Sequence, residues 1–186
     1  ANVDGADLTD TLAGLDPGTL TDTRLSYAPE IGLSVMFASG KGRRLEMELF
    51  LFSEQRQRYN QYINAQYQER QLILSYQKIH LSWQTPIVYF PGRIGLGIYT
   101  GYLDKAIERV GNKTRSLEGL YNKLDYGFSL DYKLELAVNE RLMFAPAFRL
   151  QYSLPNIFKG DASIPGEFRR TNNASAGINL GIFYRF

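Results

Sequence analysis

The chain has no cysteine, which excludes disulfides and thiolate-bound metals. It has one histidine, His80, so no second histidine or cysteine can complete a metal site around it. No run of about 18 apolar residues occurs, which excludes a transmembrane helix. Neither sign of charge dominates. The 21 Lys and Arg nearly balance 19 Asp and Glu, which argues against a nucleic-acid partner. Tryptophan is almost missing too, with one residue against 13 Tyr and 11 Phe. The slightly negative mean hydropathy does not exclude a membrane. A transmembrane barrel hides half of its strand residues from lipid.

What is present is alternation. The 186 residues suffice for one domain, and 17 glycines with many Tyr and Phe suit strands and tight turns. In Tyr27–Phe37, residues Tyr27, Ile31, Leu33, Val35 and Phe37 oppose Ala28, Glu30, Gly32, Ser34 and Met36. After the turn Gly40-Lys41-Gly42, residues Leu45, Met47, Leu49 and Leu51 oppose Glu46, Glu48, Phe50 and Phe52. Leu72, Leu74 and Tyr76 open the next apolar face. Ile79, Leu81, Trp83, Ile87 and Tyr89 continue it with opposite parity, so a β-bulge is expected at Gln77-Lys78. Pro86 makes this the least regular strand. Phe90-Pro91-Gly92 turns the chain into Ile94, Leu96, Ile98 and Tyr102. The longest alternation runs from Leu124 to Val138, turns at Asn139-Glu140, and returns from Leu142 to Tyr152.

Between these hairpins lie long polar stretches, read as loops at 9–25, 54–71, 104–122 and 154–172. Residues 1–8 alternate weakly and are read as a first strand. The connections therefore alternate long and short. That pattern suits an eight-stranded antiparallel up-and-down transmembrane β-barrel with short periplasmic turns and four long extracellular loops. Both termini are then expected in the periplasm of a bacterial outer membrane. Export is required, so the chain is expected in its mature form.

A soluble, lipocalin-like barrel would turn the same greasy face inward. The polar face helps to choose. It carries Glu46, Glu48, Asp125, Asp131, Lys133, Glu135, Arg149 and Arg185 among small residues, which suits a narrow lumen filled by ion pairs and no open pore. Tyrosines near strand ends suit an aromatic girdle.

The last strand ends Asn179-Leu180-Gly181-Ile182-Phe183-Tyr184-Arg185-Phe186. It resembles the outer-membrane β-signal at Asn179, Gly181, Tyr184 and Phe186, which implies recognition by the barrel assembly machinery. Residues 27–186 also resemble the PorT-like outer-membrane β-barrel family of Bacteroidota. The carrying stretches are Leu45-Glu46-Met47-Glu48-Leu49, the run from Gly95 to Leu103, Leu124-Asp125-Tyr126-Gly127-Phe128 and Pro155-Asn156-Ile157-Phe158. Trp83-Gln84-Thr85-Pro86-Ile87 and the weak first strand depart from the family pattern. The resemblance implies a small barrel with no catalytic residues or cofactor, whose relatives include parts of a secretion machinery.

His80, beside Ser82 and Gln84 on the polar face, is either a proton-transfer group or a hydrogen-bonded lumen residue, and the second suits a lone histidine better. Glu46 and Glu48 share a face and suit neutralisation of lumen cations better than acid–base catalysis. The glycines of 95–101 belong to a strand, and the acceptor patterns at Asn112 and Asn173 are incidental. Partner contact is expected from Tyr59, Tyr62 and Tyr67 in one loop, and from Phe158 and Phe168 in another. The expected role is non-enzymatic, as scaffold or accessory subunit of a larger outer-membrane complex surrounded by lipid or lipopolysaccharide. A stand-alone adhesion or membrane-stabilising barrel is the alternative, and a barrel enzyme using His80 is third.

Overall fold

A computed structural model describes residues 21–24, 28–40, 42–63, 66–159 and 173–184. Its elements are β1 (Thr21–Arg24), β2 (Glu30–Ser39), β3 (Arg43–Ile63), β4 (Gln66–Pro86), β5 (Arg93–Val110), β6 (Lys113–Ser116), β7 (Leu124–Lys133), β8 (Leu136–Ala137), β9 (Leu142–Ser153) and β10 (Ala174–Tyr184). One 3₁₀ turn, Glu118–Leu120, is the only helical element among the described residues. The protein is all-β.

The strands form one antiparallel meander. β2 pairs with β3, then β4, β5, β7, β9 and β10 follow in order. β1 lies along the same edge of β3 as β2, with Thr21–Arg24 opposite Gln61–Arg58. The sheet curls strongly. Side chains of β9 meet β3 through Arg149 and Glu48, and side chains of β7 meet β3 through Lys133 and Glu46, although two or three strands intervene. The concave side is therefore a narrow lumen, while the convex side shows Leu33, Leu96, Ile178 and Ile182 largely exposed.

The stretch 54–71, expected as a loop, is mostly strand. β3 and β4 pair from Arg44–Gln84 to Ile63–Gln66. Its polar residues extend the ladder because each backbone group still finds its cross-strand partner. The stretch 104–122 is likewise corrected: β5 runs on to Val110 and turns through Gly111 into β6. Thr21–Arg24, placed in the first loop, is also strand. The proposed first strand, 1–8, and the rest of that loop lie outside the described residues.

The expected bulge moves to other strands. β4 keeps one parity throughout: Leu72, Leu74 and Tyr76 lie on the same buried face as Lys78, His80, Ser82 and Gln84. The extra residues sit on its neighbours. Asp104 is inserted in β5 and Leu51 in β3, between registers Gly101–Lys78 and Lys105–Ser75, and between Phe50 and Ser53. What changes along β4 is the character of its inner face, polar below and apolar above. β4 also stops at Pro86, so the turn to β5 spans 87–92, closed by Ile87 N donating to Gly92 O at 3.1 Å.

The strand read from Leu124 to Val138 is interrupted after Lys133, opposite Pro146. Leu134 N donates to Pro146 O at 2.9 Å, but a proline has no N–H to return the bond. β8 resumes two residues later.

Candidate functional site

The lumen is built from alternate residues of each strand, and its contents change with height. At the end with the short turns, Arg44 and Arg93 share Glu135 at 2.5 and 2.9 Å. One layer up, the fully buried Glu46 accepts hydrogen bonds from Ser34 at 2.8 Å, from Gln84 and from Lys133. The Lys133 ammonium also lies 5.0 Å from the Phe183 ring centre. Above it, Glu48 accepts from Arg149, and Arg149 Nε donates to Asp131 at 2.5 Å. Next, Lys78 donates to Glu30 and to Gln151, and Ser53 donates to Glu30 at 2.5 Å. The Phe50 ring carries two cations, Lys78 and Arg149, at 5.5 and 5.6 Å. Highest of the polar layers, Ser153 and Asn173 donate to Asp125 at 2.5 and 3.0 Å.

Six carboxylates thus meet five cations and His80 on the concave side of the sheet. Buried charges persist only when each has a partner. The lumen residues expected from sequence are brought together at Glu46, Glu48, Asp131, Lys133, Glu135 and Arg149. Arg185 lies outside the described residues. Glu30, Arg44, Lys78, Arg93 and Asp125 belong to the same system. Glu30 and Asp125 already stand on the polar face in the sequence; strict parity along each strand, carried past the apolar segments, adds Arg44, Lys78 and Arg93.

The single histidine sits inside this network. The Glu48 carboxylate can only accept, so His80 Nδ1–H donates to it at 2.6 Å, and His80 Nε2 lies 2.7 Å from the Ser129 hydroxyl and 3.6 Å from Asp131 Oδ2. Ser, His and Glu in this order form the hydrogen-bond chain of an acyl-transfer relay. Packing opposes that use. His80 is fully buried, Ser129 is 5 % exposed, and a Cβ on Gly97 would come within 2.5 Å of Ser129 Oγ and 2.6 Å of His80 Nε2. No carbonyl has room beside that hydroxyl on the Gly97 side.

Above Asp125 the lumen turns apolar. Leu72, Leu74, Tyr76, Leu103, Ala106, Tyr121, Ile157 and Phe158 form a buried cluster, with Leu117 and Leu120 packed against it. The Tyr121 and Phe158 rings meet edge to face at 5.5 Å. Asn122 N donates to Ile157 O, and Lys159 N to Leu120 O, each at 2.7 Å. Two connections, β6–β7 and the start of β9–β10, are thereby tied together over the lumen. Burial, with Glu108 near, pushes the Tyr121 phenol above its usual range, so it stays neutral. Phe158, expected to contact a partner, is an internal residue of this cap. Its ring is spent on Tyr121 rather than presented at the surface. Phe168 lies outside the described residues. Tyr59, Tyr62 and Tyr67 fall on the paired ends of β3 and β4, with Tyr62 opposite Tyr67.

In the closing strand, Asn179 and Gly181 are half-buried and Tyr184 is exposed. A Cβ on Gly181 would come within 2.6 Å of the Phe183 ring, so this glycine makes room for that ring. Phe186 is outside the described residues.

Comparison with protein-family models, curated proteins and solved structures finds no match to the chain.

Proposed function

We propose that the protein is an eight-stranded β-barrel of a bacterial outer membrane, acting without catalysis as a scaffold or accessory subunit of a larger membrane assembly. The carrying observation is the convex face. Exposed apolar side chains run around all seven long strands, as in Leu33, Leu49, Leu81, Ile98, Phe128, Leu150 and Leu180, over a charged interior. On β5 the belt runs from Ile94 to Tyr102. Nine residues at about 3.3 Å each, tilted by about 40°, give a band of roughly 23 Å. That height suits a hydrocarbon core, whereas a soluble barrel would need the same residues inside.

Closure supports eight strands. Seven strands of a meander leave its first and last strands, β2 and β10, running the same way. Among the described residues neither outer edge is paired, and a cavity of 860 Å³ lies between them, lined by Glu30, Gly32 and Ser34 on one side and Ala176–Phe183 on the other. One further strand, antiparallel to both, satisfies both edges, and unpaired edges are not tolerated in lipid.

The subunit role is supported by what rises above the belt. β3 and β4 run 21 residues each, about twice the 9–11 needed to cross a bilayer. Such a projection offers a partner a rigid edge and face. The PorT-like resemblance adds secretion or biogenesis machinery as the setting. A second reading, a hydrolase built on Ser129, His80 and Glu48, is favoured only by the two hydrogen bonds at His80.

Two measurements test these readings. The purified protein migrates faster unboiled than boiled on a denaturing gel; identical migration would refute the barrel. From membranes in mild detergent it elutes with other proteins, and replacing residues 59–68 by a short turn releases them without changing the gel shift. A barrel that always elutes alone would sink the subunit role. Hydrolysis of lipid esters that is abolished in His80→Ala would install the enzyme reading instead.

A further inference from the structure

We propose that the outer surface of β3, β4 and β5 holds one phosphorylated lipid of the surrounding leaflet, its acyl chain in a groove and its phosphates against the cations just above. The proposal deepens the membrane reading and rests on it.

The groove lies at the upper margin of the apolar belt. It has a volume of 210 Å³ and is lined by Leu49, Ile79, Thr100, Tyr102, Leu124 and Gln77. Two rows of the sheet supply it. Leu49, Ile79 and Thr100 are cross-strand neighbours in one row, and Gln77, Tyr102 and Leu124 in the next. Between the two rows the backbone of Gly101 borders the groove, while the position its side chain would take faces inward, toward Lys78 and Tyr76. The bulges in β3 and β5 begin directly above. Gln77 and Thr100 put exposed amide and hydroxyl groups where a lipid carries its ester or amide carbonyls.

The same three strands continue upward and become basic. Lys105 stands opposite Ser75, and Arg58, Gln71 and Arg109 form one row across the three strands. Side chains directly opposite in antiparallel strands share a face, so Arg58 and Arg109 flank a neutral Gln71 on the convex side. Arg56 is tied to Glu54 and Arg70 to Glu108. That leaves Arg58, Lys105, Arg109, Lys113 and Arg115 exposed on this projection, against Asp104 and Glu69. Arg58, Lys105 and Arg109 form no ion pair with a described residue. Like charges left unpaired in one row repel unless an anion joins them. Lys105 is three residues beyond Tyr102, and Arg109 seven. At about 2.5 Å of height per tilted residue, they lie roughly 8 and 18 Å above the belt. A single phospholipid phosphate reaches only the lower of these. A phosphorylated glycolipid of the lipopolysaccharide kind, with phosphates on its sugar headgroup and core, spans both.

The test uses the whole protein in detergent, incubated with diphosphorylated lipid A or with its dephosphorylated form, and counts bound lipid by native mass spectrometry. The phosphorylated form is retained and the dephosphorylated form is not. The triple variant Arg58→Gln, Lys105→Gln, Arg109→Gln lies off the barrel wall, keeps the gel shift, and weakens retention at least about tenfold. Thr100→Trp, which fills the groove, weakens it as well. Equal retention of the dephosphorylated lipid, or an unaffected triple variant, would overturn the site while leaving the barrel intact. Displacement by inorganic pyrophosphate as effective as displacement by lipid A would show a free-phosphate site and overturn the lipid assignment. Loss of the gel shift in the unaltered protein would instead defeat the membrane reading itself.

Discussion

Glu46 illustrates what one buried charge demands of its neighbours. It has no exposure, and Ser34, Gln84 and Lys133 all donate to it from three other strands. Glu46→Gln leaves Lys133 buried without a counter-charge, and is expected to cost about 3 kcal/mol in equilibrium urea unfolding of the detergent-folded protein. Adding Lys133→Met recovers part of that loss; a double variant as weak as the sum of both singles would show that the two do not act as a pair. Glycine poses the opposite demand, for space. A Cβ on Gly127 would stand 1.9 Å from Tyr152 O, a backbone atom that cannot swing aside, whereas one on Gly119 meets nothing within 4 Å. Gly127→Ala is expected to abolish the gel shift and Gly119→Ala to leave it unchanged. The charges were legible as the polar half of an alternation. Their pairing was not: Glu48, His80 and Ser129 belong to three strands whose curl alone brings them within hydrogen-bond reach.

At the scale of elements, β4 holds the main lesson. Leu72, Leu74 and Tyr76 look like the lipid-facing residues of a shifted strand, but they share the inner face of His80 and enter the cap. An apolar residue satisfies lipid and a dry lumen equally well, so sequence pattern cannot separate the two. The fully buried Leu103 lies in this cap, and Leu103→Ala is expected to cost about 2–5 kcal/mol and to expose the 154–159 segment to protease before the sheet unfolds. The cap should also respond to alkali. The Tyr121 phenol titrates higher folded than unfolded, so its contribution is complete below the unfolded value of about 10 and falls as pH rises past it. Protease sensitivity at 154–159 is expected to grow above that pH, and less so in Tyr121→Phe. The stretch 54–71 reads as a loop for a related reason: polarity marks solvent, and a ladder that stands in solvent is polar on its outer face.

At the scale of the whole molecule, layers of ion pairs and the apolar cap both cross the concave side of the sheet among the described residues. Reconstituted in a planar bilayer, the protein is expected to show no steady conductance; open channels of stable size would contradict the packed interior. The amino-acid sequence by itself determined the all-β class, the antiparallel order of the strands and the two faces of most of them, because side-chain alternation and turn residues are local properties. The tertiary structure decided which apolar segments turn inward, which charges meet, and where the bulges fall. Those depend on curl and register, which are set by strands far apart in the chain.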